Sequence, residues 1–463
     1  MSDPVLNPAL ASADELIEQL MGLHPKGYDL SLDRILMLLE KLGNPHNKLP
    51  PVIHVAGTNG KGSFTAFARA LLEAEGYRVH VHTSPHLVSW HERFRIAAPD
   101  ALIGQNSGKF VQDELLTDAI SRVAIANDGA SITVYEILTA AMFILFSEQP
   151  ADVAIIEVGL GGRFDATNVI VNPAASVIMP VSMDHQSMLG NTPDKIAFEK
   201  AGIIKKQCAT IISQQPYDDA LDVITVQAEK NKSPVSVFGQ DFMGYAEHGR
   251  FVYQDENGLL DLPLPALQGA HQYANAATAI KAVKEAGFAL SSQAIEAAMG
   301  NVYWPGRLQT LRSGAIFDKA KEFANGKPVD ILVDGGHNQD AAKVLVDTIT
   351  HMNLKDKRQL YLICAMLNTK DPSAFFERYK KHVELIVTVP INSSDAGISA
   401  SDLADYVKAQ GIPTLAKLNI TDALKAVFDH HAKTDLGQPL RILFCGSLYL
   451  VGDVLDQNGT PPQ

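Results

Sequence analysis

The sequence predicts an α/β protein of two domains, each organised on a largely parallel sheet, and three observations lead there. Short apolar runs bounded by glycine or proline alternate with stretches of helical periodicity, the pattern of strands joined by crossover helices. The runs form two sets: Val52–Ala56, Val79–His82, Val153–Val158 and Ala175–Met179, then Asp330–Val333, Leu360–Ala365, Glu384–Val389 and Arg441–Cys445. Between the sets, GNVYWPGR at 300–307 combines helix breakers with bulky aromatics, which marks a boundary.

The expected division is residues 1–299, a linker over 300–307, and a second domain over 308–463. Within the first domain, the stretch from Pro234 to Pro265 contains VSVFG and RFVYQDENG, alternating and turn-rich enough for a small antiparallel excursion. Ligands in open α/β sheets bind at the carboxyl ends of strands, so two facing sheets place the expected site in the cleft between them.

The bulk composition narrows the function. The 463 residues are 46% hydrophobic and 20% charged, which is globular, and 39 basic against 52 acidic residues give a net charge of -13. Such a field repels nucleic acid, so any phosphate is held by a local site. The first twenty residues lack the basic and apolar regions of a signal peptide, and the longest apolar run, Ile137 to Phe146, is too short to cross a bilayer. The expectation is a cytoplasmic chain with neither nucleic-acid nor membrane partners. Cys208, Cys364 and Cys445 are too far apart in sequence for a zinc pair and odd in number for a disulfide framework, so they read as buried thiols.

The strongest local feature follows the first strand. Ile53 to Ser63 reads IHVAGTNGKGS and runs into the helical pattern Phe64–Glu75. Glycines let the backbone wrap an oxyanion, amides at the helix start point at it, and Lys61 supplies charge where phosphates gather. Ser63 would then face a magnesium ion. The spacing is tighter than the usual phosphate loop: two residues separate Gly57 from Gly60, and Gly62 stands between lysine and serine. The third strand ends in Glu157, a carboxylate costly to bury without a cation and therefore a natural magnesium ligand.

These residues resemble the Mur ligase and folylpolyglutamate synthase superfamily, whose loop reads GTNGK followed by a small residue, and GKGS resembles its folate branch. The resemblance covers nearly the whole chain. It implies the Mur ligase fold, with a P-loop ATPase domain followed by a Rossmann-like α/β domain. It also implies that Gly57, Thr58, Asn59, Gly60, Lys61, Gly62 and Ser63 hold ATP. SPHL at 84–87 and ERFRI at 92–96 are similar to the loop in which a serine helps bind magnesium and neighbours contact the pterin, so Ser84, Pro85, His86 and Arg93 are candidates. EVGLGGRFDATN at 157–168 resembles the pterin-lining pattern and adds Arg163, Asp165 and Ala166, with Asp165 expected to accept hydrogen bonds from the pterin. TVYE at 133–136 resembles another lining segment, usually richer in phenylalanine, and adds Thr133 and Tyr135.

The same resemblance makes His185 a second-metal ligand and matches Lys200, fifteen positions on, to a lysine that is carbamylated in the family. A carbamate would give two metal ions oxygen ligands where an ammonium would repel them. HQYANA at 271–276 brings Asn275 toward adenine, Arg307 resembles a nucleotide-phosphate contact, and DGGHN at 334–338 would bring Asp334 and His337 to the nucleotide. Ser447 in GSLY would lie on the glutamate side. The implied activity is ATP-dependent addition of L-glutamate to dihydropteroate and to reduced folates through an acyl phosphate. Lys61, His185, Lys200 and His337 would serve catalysis, and Ser63, Ser84, Glu157, His185 and Lys200 the metals. Potassium is a further cation to test, and family precedent leans to a monomer. A folylpolyglutamate synthase lacking the first activity, a cell-wall Mur ligase, and a nucleotide-binding regulatory protein stay as alternatives at this level.

Overall fold

The structure is a computed structural model that describes residues 12–23, 31–98, 108–434 and 438–463; the first eleven residues, within the segment weighed above as a signal peptide, lie outside the described residues. Among the described residues, the first sheet contains β1 (Val52–Ala56), β2 (Val79–His82), β3 (Phe94–Ile96), β4 (Lys109–Phe110), β5 (Val153–Glu157), β6 (Ala175–Ile178), β7 (Ala209–Ile212) and β8 (Val235–Val237). Their order is β4-β3-β2-β5-β1-β6-β7-β8, parallel from β2 to β8, with β3 and β4 adding an antiparallel edge. Every residue of β1, β2, β5 and β6 is buried, so β5 reads as an apolar run up to Glu157, while β1 and β2 also bury His54, His80 and His82.

The expected excursion is present as an antiparallel meander of β9 (Met243–Glu247), β10 (Arg250–Asp255) and β11 (Gly258–Leu262). It packs on the helix His271–Glu285, which also lies against the helix Lys61–Glu75 that leaves the phosphate loop. The second sheet comprises β12 (Gln309–Thr310), β13 (Val329–Val333), β14 (Gln359–Cys364), β15 (Leu385–Thr388), β16 (Thr414–Ala416) and β17 (Leu440–Cys445). Its order is β12-β13-β17-β14-β15-β16, and only the pairing of β12 with β13 is antiparallel among the described residues.

Two expectations need correction. Cys208 is half-buried, not buried, because it sits on the turn before β7, while Cys364 and Cys445 are fully buried. Distance in sequence also misled. β14 and β17 are paired neighbours with Cys364 opposite Cys445, so two thiols 81 positions apart stand Sγ to Sγ at 3.4 Å. The apolar run Ile137–Phe146 belongs to a fully packed helix, Val134–Glu148, started by a capping box in which Thr133 and Glu136 bond each other's backbone. No helix among the described residues is long and apolar enough to cross a membrane.

Candidate active site

The carboxyl ends of both sheets face one cavity of about 540 Å³. Its wall collects Gly57 to Ser63 after β1, Ser84 and Pro85 after β2, Glu157 at the end of β5, and His185 and Lys200 beyond β6. Asn275 comes from the helix His271–Glu285, Arg307 from the connection to β12, and Asp334 and His337 from the turn after β13.

The phosphate loop is fixed by close approach. Gly57 has φ +149°, and a Cβ there would stand 2.5 Å from Met179 Cβ, so only glycine lets the turn pass β6. The amides of Thr58 and Asn59 donate to Pro180 O at 2.9 and 3.2 Å, and the Thr58 hydroxyl donates to Ser182 O. These two amides are therefore committed to the neighbouring strand end. The anion-binding donors left are the first amides of the helix Lys61–Glu75, which have no partner within the helix. Lys61 Nζ donates to Gly57 O at 3.1 Å and lies 3.5 Å from Glu157 Oε1. Asn275 donates to Gln272, and Gln272 donates to the Ser63 hydroxyl at 3.3 Å, linking the expected adenine contact to the loop.

Glu157 is buried, and that burial raises its carboxyl above the ordinary range against the opposing pull of Lys61 and Arg307. Lys200 is buried too. Desolvation, reinforced by Lys61, lowers its ammonium to about 7, and its Nζ donates to Gly57 O at 3.0 Å. Asp334 is raised by burial and accepts from the amides of Leu308 (2.9 Å) and Gly336 (2.7 Å), so it joins the connection to the DGGHN turn. Ser447 caps the last helix by accepting from Tyr449 N, and Gly446 N donates to Gly336 O, tying GSLY to DGGHN.

Of the expected pterin residues, Ser84 and Pro85 line this cavity, whereas His86, Arg93, Thr133, Tyr135, Arg163, Asp165 and Ala166 stand behind or beside its wall. Asp165 Oδ1 accepts from Tyr135 Oη, Thr167 N and Thr167 Oγ1, and its Oδ2 accepts from the amides of Gly159 and Leu160. A carboxylate offers about four lone-pair sites, so Asp165 is fully occupied in holding its own loop, with none left for the acceptor role expected of it. Thr133 spends its hydroxyl on the cap, and Ala166 is buried in the core beside the helix Val134–Glu148. Arg93 is buried, donates to His86 Nδ1 at 3.0 Å and lies over the Trp90 ring; burial lowers it to about 10. Arg163 is half-exposed over Phe164 and Phe198.

Sequence reasoning passed over Asp184 and Lys370. Although burial opposes it, His337 and Lys370 hold the Asp184 carboxyl well below the usual range. Asp184 stands in SMDHQ beside a residue that was noticed, whereas Lys370, alone in MLNTKDP after β14, gave no periodic or spacing signal. Glu92, within ERFRI, accepts from the amides of Leu87, Val88 and Ser89 and so shapes the SPHL loop.

A divalent ion fits one part of this wall. Glu157 is a buried carboxylate beside Lys61, Arg307 and the Ser84 amide, and Ser63 and Ser84 line the same cavity; hard cations bound with nucleotide need few protein oxygens because phosphates supply the rest. A second ion has less support from unmodified side chains: among the described residues no group of three His, Cys, Asp or Glu side chains is disposed to hold a metal.

Comparison with known proteins agrees with this architecture. Residues 319–457 match the family described as dihydrofolate synthetase, C-terminal domain. The chain is 32% identical over 458 residues to the dihydrofolate synthase/folylpolyglutamate synthase of Haemophilus influenzae, covering 96% of this chain and 98% of that protein. It is 30% identical over 440 residues to a dihydrofolate synthetase of Saccharomyces cerevisiae, covering 92% and 97%. Among solved structures, Escherichia coli FolC in complex with DHPP and ADP superposes with a TM-score of 0.82 at 27% identity, covering 98% of each chain. A bifunctional folylpolyglutamate synthase/dihydrofolate synthase with Mn, AMPPNP and L-glutamate bound gives 0.77 at 26%, covering 95% and 97%. With this extent of identity and this fold, the chain belongs to the dihydrofolate synthase/folylpolyglutamate synthase family.

Proposed function

We propose that the protein is an ATP-dependent ligase that adds L-glutamate to dihydropteroate, forming dihydrofolate, and to reduced folates, forming polyglutamates. The observation that carries this reading is the single wall on which the phosphate loop, Glu157 and Lys200 from one sheet meet Arg307, Asp334 and His337 from the other.

A carboxylate resists attack by an amine because it is already anionic. One carboxylate oxygen of the acceptor therefore attacks the γ-phosphorus of ATP, ADP leaves, and an acyl phosphate forms. The neutral α-amino group of glutamate then attacks the carbonyl carbon, a tetrahedral intermediate collapses, and phosphate departs to leave the amide. Lys61 and Arg307 neutralise the phosphoryl oxygens, the helix amides after Gly60 hold the phosphate, and His337 approaches from the second sheet. Magnesium, held by Ser63, Ser84 and Glu157, would supply Lewis-acid charge at the β- and γ-phosphates.

The reading includes a carbamate on Lys200. Carbon dioxide adds to a neutral amine, and an amine lowered to about 7 is substantially neutral in the cell. That modification would complete the oxygen set beside His185 which unmodified side chains leave short. It also includes a stimulating potassium ion, a cytoplasmic monomer whose one chain supplies both walls of the cavity, and division into residues 1–299 and 308–463 that close about 300–307. Support for the hinge is the break after the helix Ser292–Asn301, beyond which β12 enters the second sheet.

The test is incubation with ATP, magnesium, potassium and glutamate, offering dihydropteroate or a reduced monoglutamyl folate separately, with products weighed by mass spectrometry. One glutamyl residue gained on both acceptors is expected. Gain on the folate alone would leave a folylpolyglutamate synthase, and gain on neither by a folded, ATP-binding protein would refute the folate assignment.

A further inference from the structure

Contacts across the cleft converge on one carboxylate. Lys370 Nζ, on the loop between β14 and the helix Pro372–Glu377, donates to Asp184 Oδ1 at 2.6 Å, and both side chains are less than a tenth exposed. The same Oδ1 accepts from the His185 amide at 2.8 Å, where the backbone takes φ +51°. Asp184 Oδ2 lies 3.3 Å from His337 Nε2, and His337 Nδ1 in turn faces Gly335 O at 2.8 Å. Lys370 Nζ also stands 3.4 Å from His185 Nε2.

We propose that Lys370 is a positioning residue for the ligase reaction: it latches the second sheet onto Asp184 and so sets His185 and His337 about the transferred phosphoryl group. Asp184 and Lys370 come from different sheets, 186 positions apart, and belong to neither apolar core. Burying the pair costs desolvation, but removing one partner leaves an uncompensated buried charge and costs far more, so the two side chains stay committed to each other. Separating the sheets would leave Asp184 to water and His337 without its second acceptor; bringing them together satisfies both at once. The reciprocal Asn59–Asn338 pair, at 3.0 and 3.3 Å, and the bond from Tyr217 to Asp340, at 3.0 Å, lie across the same cleft, so Lys370 acts within a closing seam. Within the seam it is the fixed cation that reaches both the carboxylate and the histidine beside it.

The inference rests on the proposed ligase reading, and its test separates the two. Lys370→Ala, Lys370→Arg, Asp184→Asn and the Lys370→Ala/Asp184→Asn double variant are compared with the full-length wild type for kcat, KM for ATP, and compaction by small-angle scattering on adding an ATP analogue, acceptor and magnesium. Loss of a buried partner that positions reacting groups predicts a kcat lowered about 10-fold or more in Lys370→Ala, with KM for ATP changed less than about threefold and compaction reduced. Lys370→Arg should recover most of the rate, and the double variant should be no slower than the slower single variant. Circular dichroism checks that each variant unfolds cooperatively, and the arginine variant carries the comparison where alanine does not fold. Wild-type kcat in Lys370→Ala, or losses that multiply in the double variant, would overturn the latch. If the wild type makes no ligated product the functional reading fails instead, and the scattering still decides the latch: unchanged compaction in Lys370→Ala refutes it, and lost compaction supports it.

Discussion

The indole nitrogen of Trp304 lies 2.7 Å from the point where a Cβ on Gly62 would stand. This contact explains the glycine between Lys61 and Ser63: the aromatic residue of the connecting segment packs directly on the first turn of the phosphate-loop helix. The unusual spacing of the loop and the aromatic Trp304, far apart in sequence, are thus one packing feature.

Replacing Gly62 by alanine therefore sets helix propensity against overlap. Alanine favours a helix by about 1 kcal/mol over glycine, but overpacking costs about 1–3 kcal/mol, so a net loss on the order of 1 kcal/mol is expected. Thermal unfolding measures it. Emission from Trp304, one of two tryptophans, should shift to the red in the variant, and Gly62→Ala/Trp304→Leu should regain the lost stability.

Lys61 Nζ donates to Gly57 O and Thr58 O of the loop, at 3.1 and 3.4 Å, and lies 3.5 Å from Glu157 Oε1, contacts it can exchange for phosphate oxygens. Losing one well-placed donor to developing charge costs about 3 kcal/mol, so Lys61→Ala should lower kcat on the order of 100-fold or more. Steady-state ADP release at saturating acceptor checks this. A variant within about twofold of wild type would remove Lys61 from the mechanism.

Tyr135 donates its hydroxyl to Asp165 Oδ1, which also receives the amide and the hydroxyl of Thr167. Tyr135→Phe leaves four donors on a carboxylate with about four lone-pair sites, so Asp165 stays committed to its loop. We expect the KM for dihydropteroate to stay within about twofold of wild type, with KM for ATP unmoved. A dihydropteroate KM shifted by more than about threefold would mean that Tyr135 or Asp165 meets the substrate.

Two histidines bear on acid stability. His54 and His82 are fully buried and lowered to about 3, chiefly by desolvation, with Lys205 adding to the first and Arg93 to the second. Between that value and their ordinary 6.5 the unfolded chain binds more protons than the folded one, so stability falls as pH falls through this window. At pH 5 each should cost roughly 2 kcal/mol relative to pH 7.5. Guanidinium unfolding at the two pH values measures the loss, and His82→Gln should remove its share of the slope while leaving that of His54.

Much of this was readable from the residues, for physical reasons that differ by element. Fully buried parallel strands such as β5 announce themselves as apolar runs, and a phosphate loop needs glycines and a lysine in sequence order. Edge strands such as β3 and β4 are silent because two or three residues of mixed burial carry no periodicity. Lys370 was invisible for another reason: its partner is defined only by the meeting of two sheets. Asp165 shows the opposite limit: its motif is legible, but the donors that occupy it, four from its own loop and one from Tyr135 on the helix Val134–Glu148, are set by the folded geometry.

The central claim is activation of the acceptor carboxylate by phosphoryl transfer within a folate ligase, and isotope transfer tests it most directly. Dihydropteroate labelled with oxygen-18 in its carboxylate would be turned over with ATP, magnesium and glutamate, and the phosphate and pterin product weighed. The account predicts dihydrofolate together with one labelled oxygen in each released phosphate. Unlabelled phosphate accompanying dihydrofolate would contradict the acyl phosphate, and labelled acceptor returned unchanged would contradict the folate ligase itself.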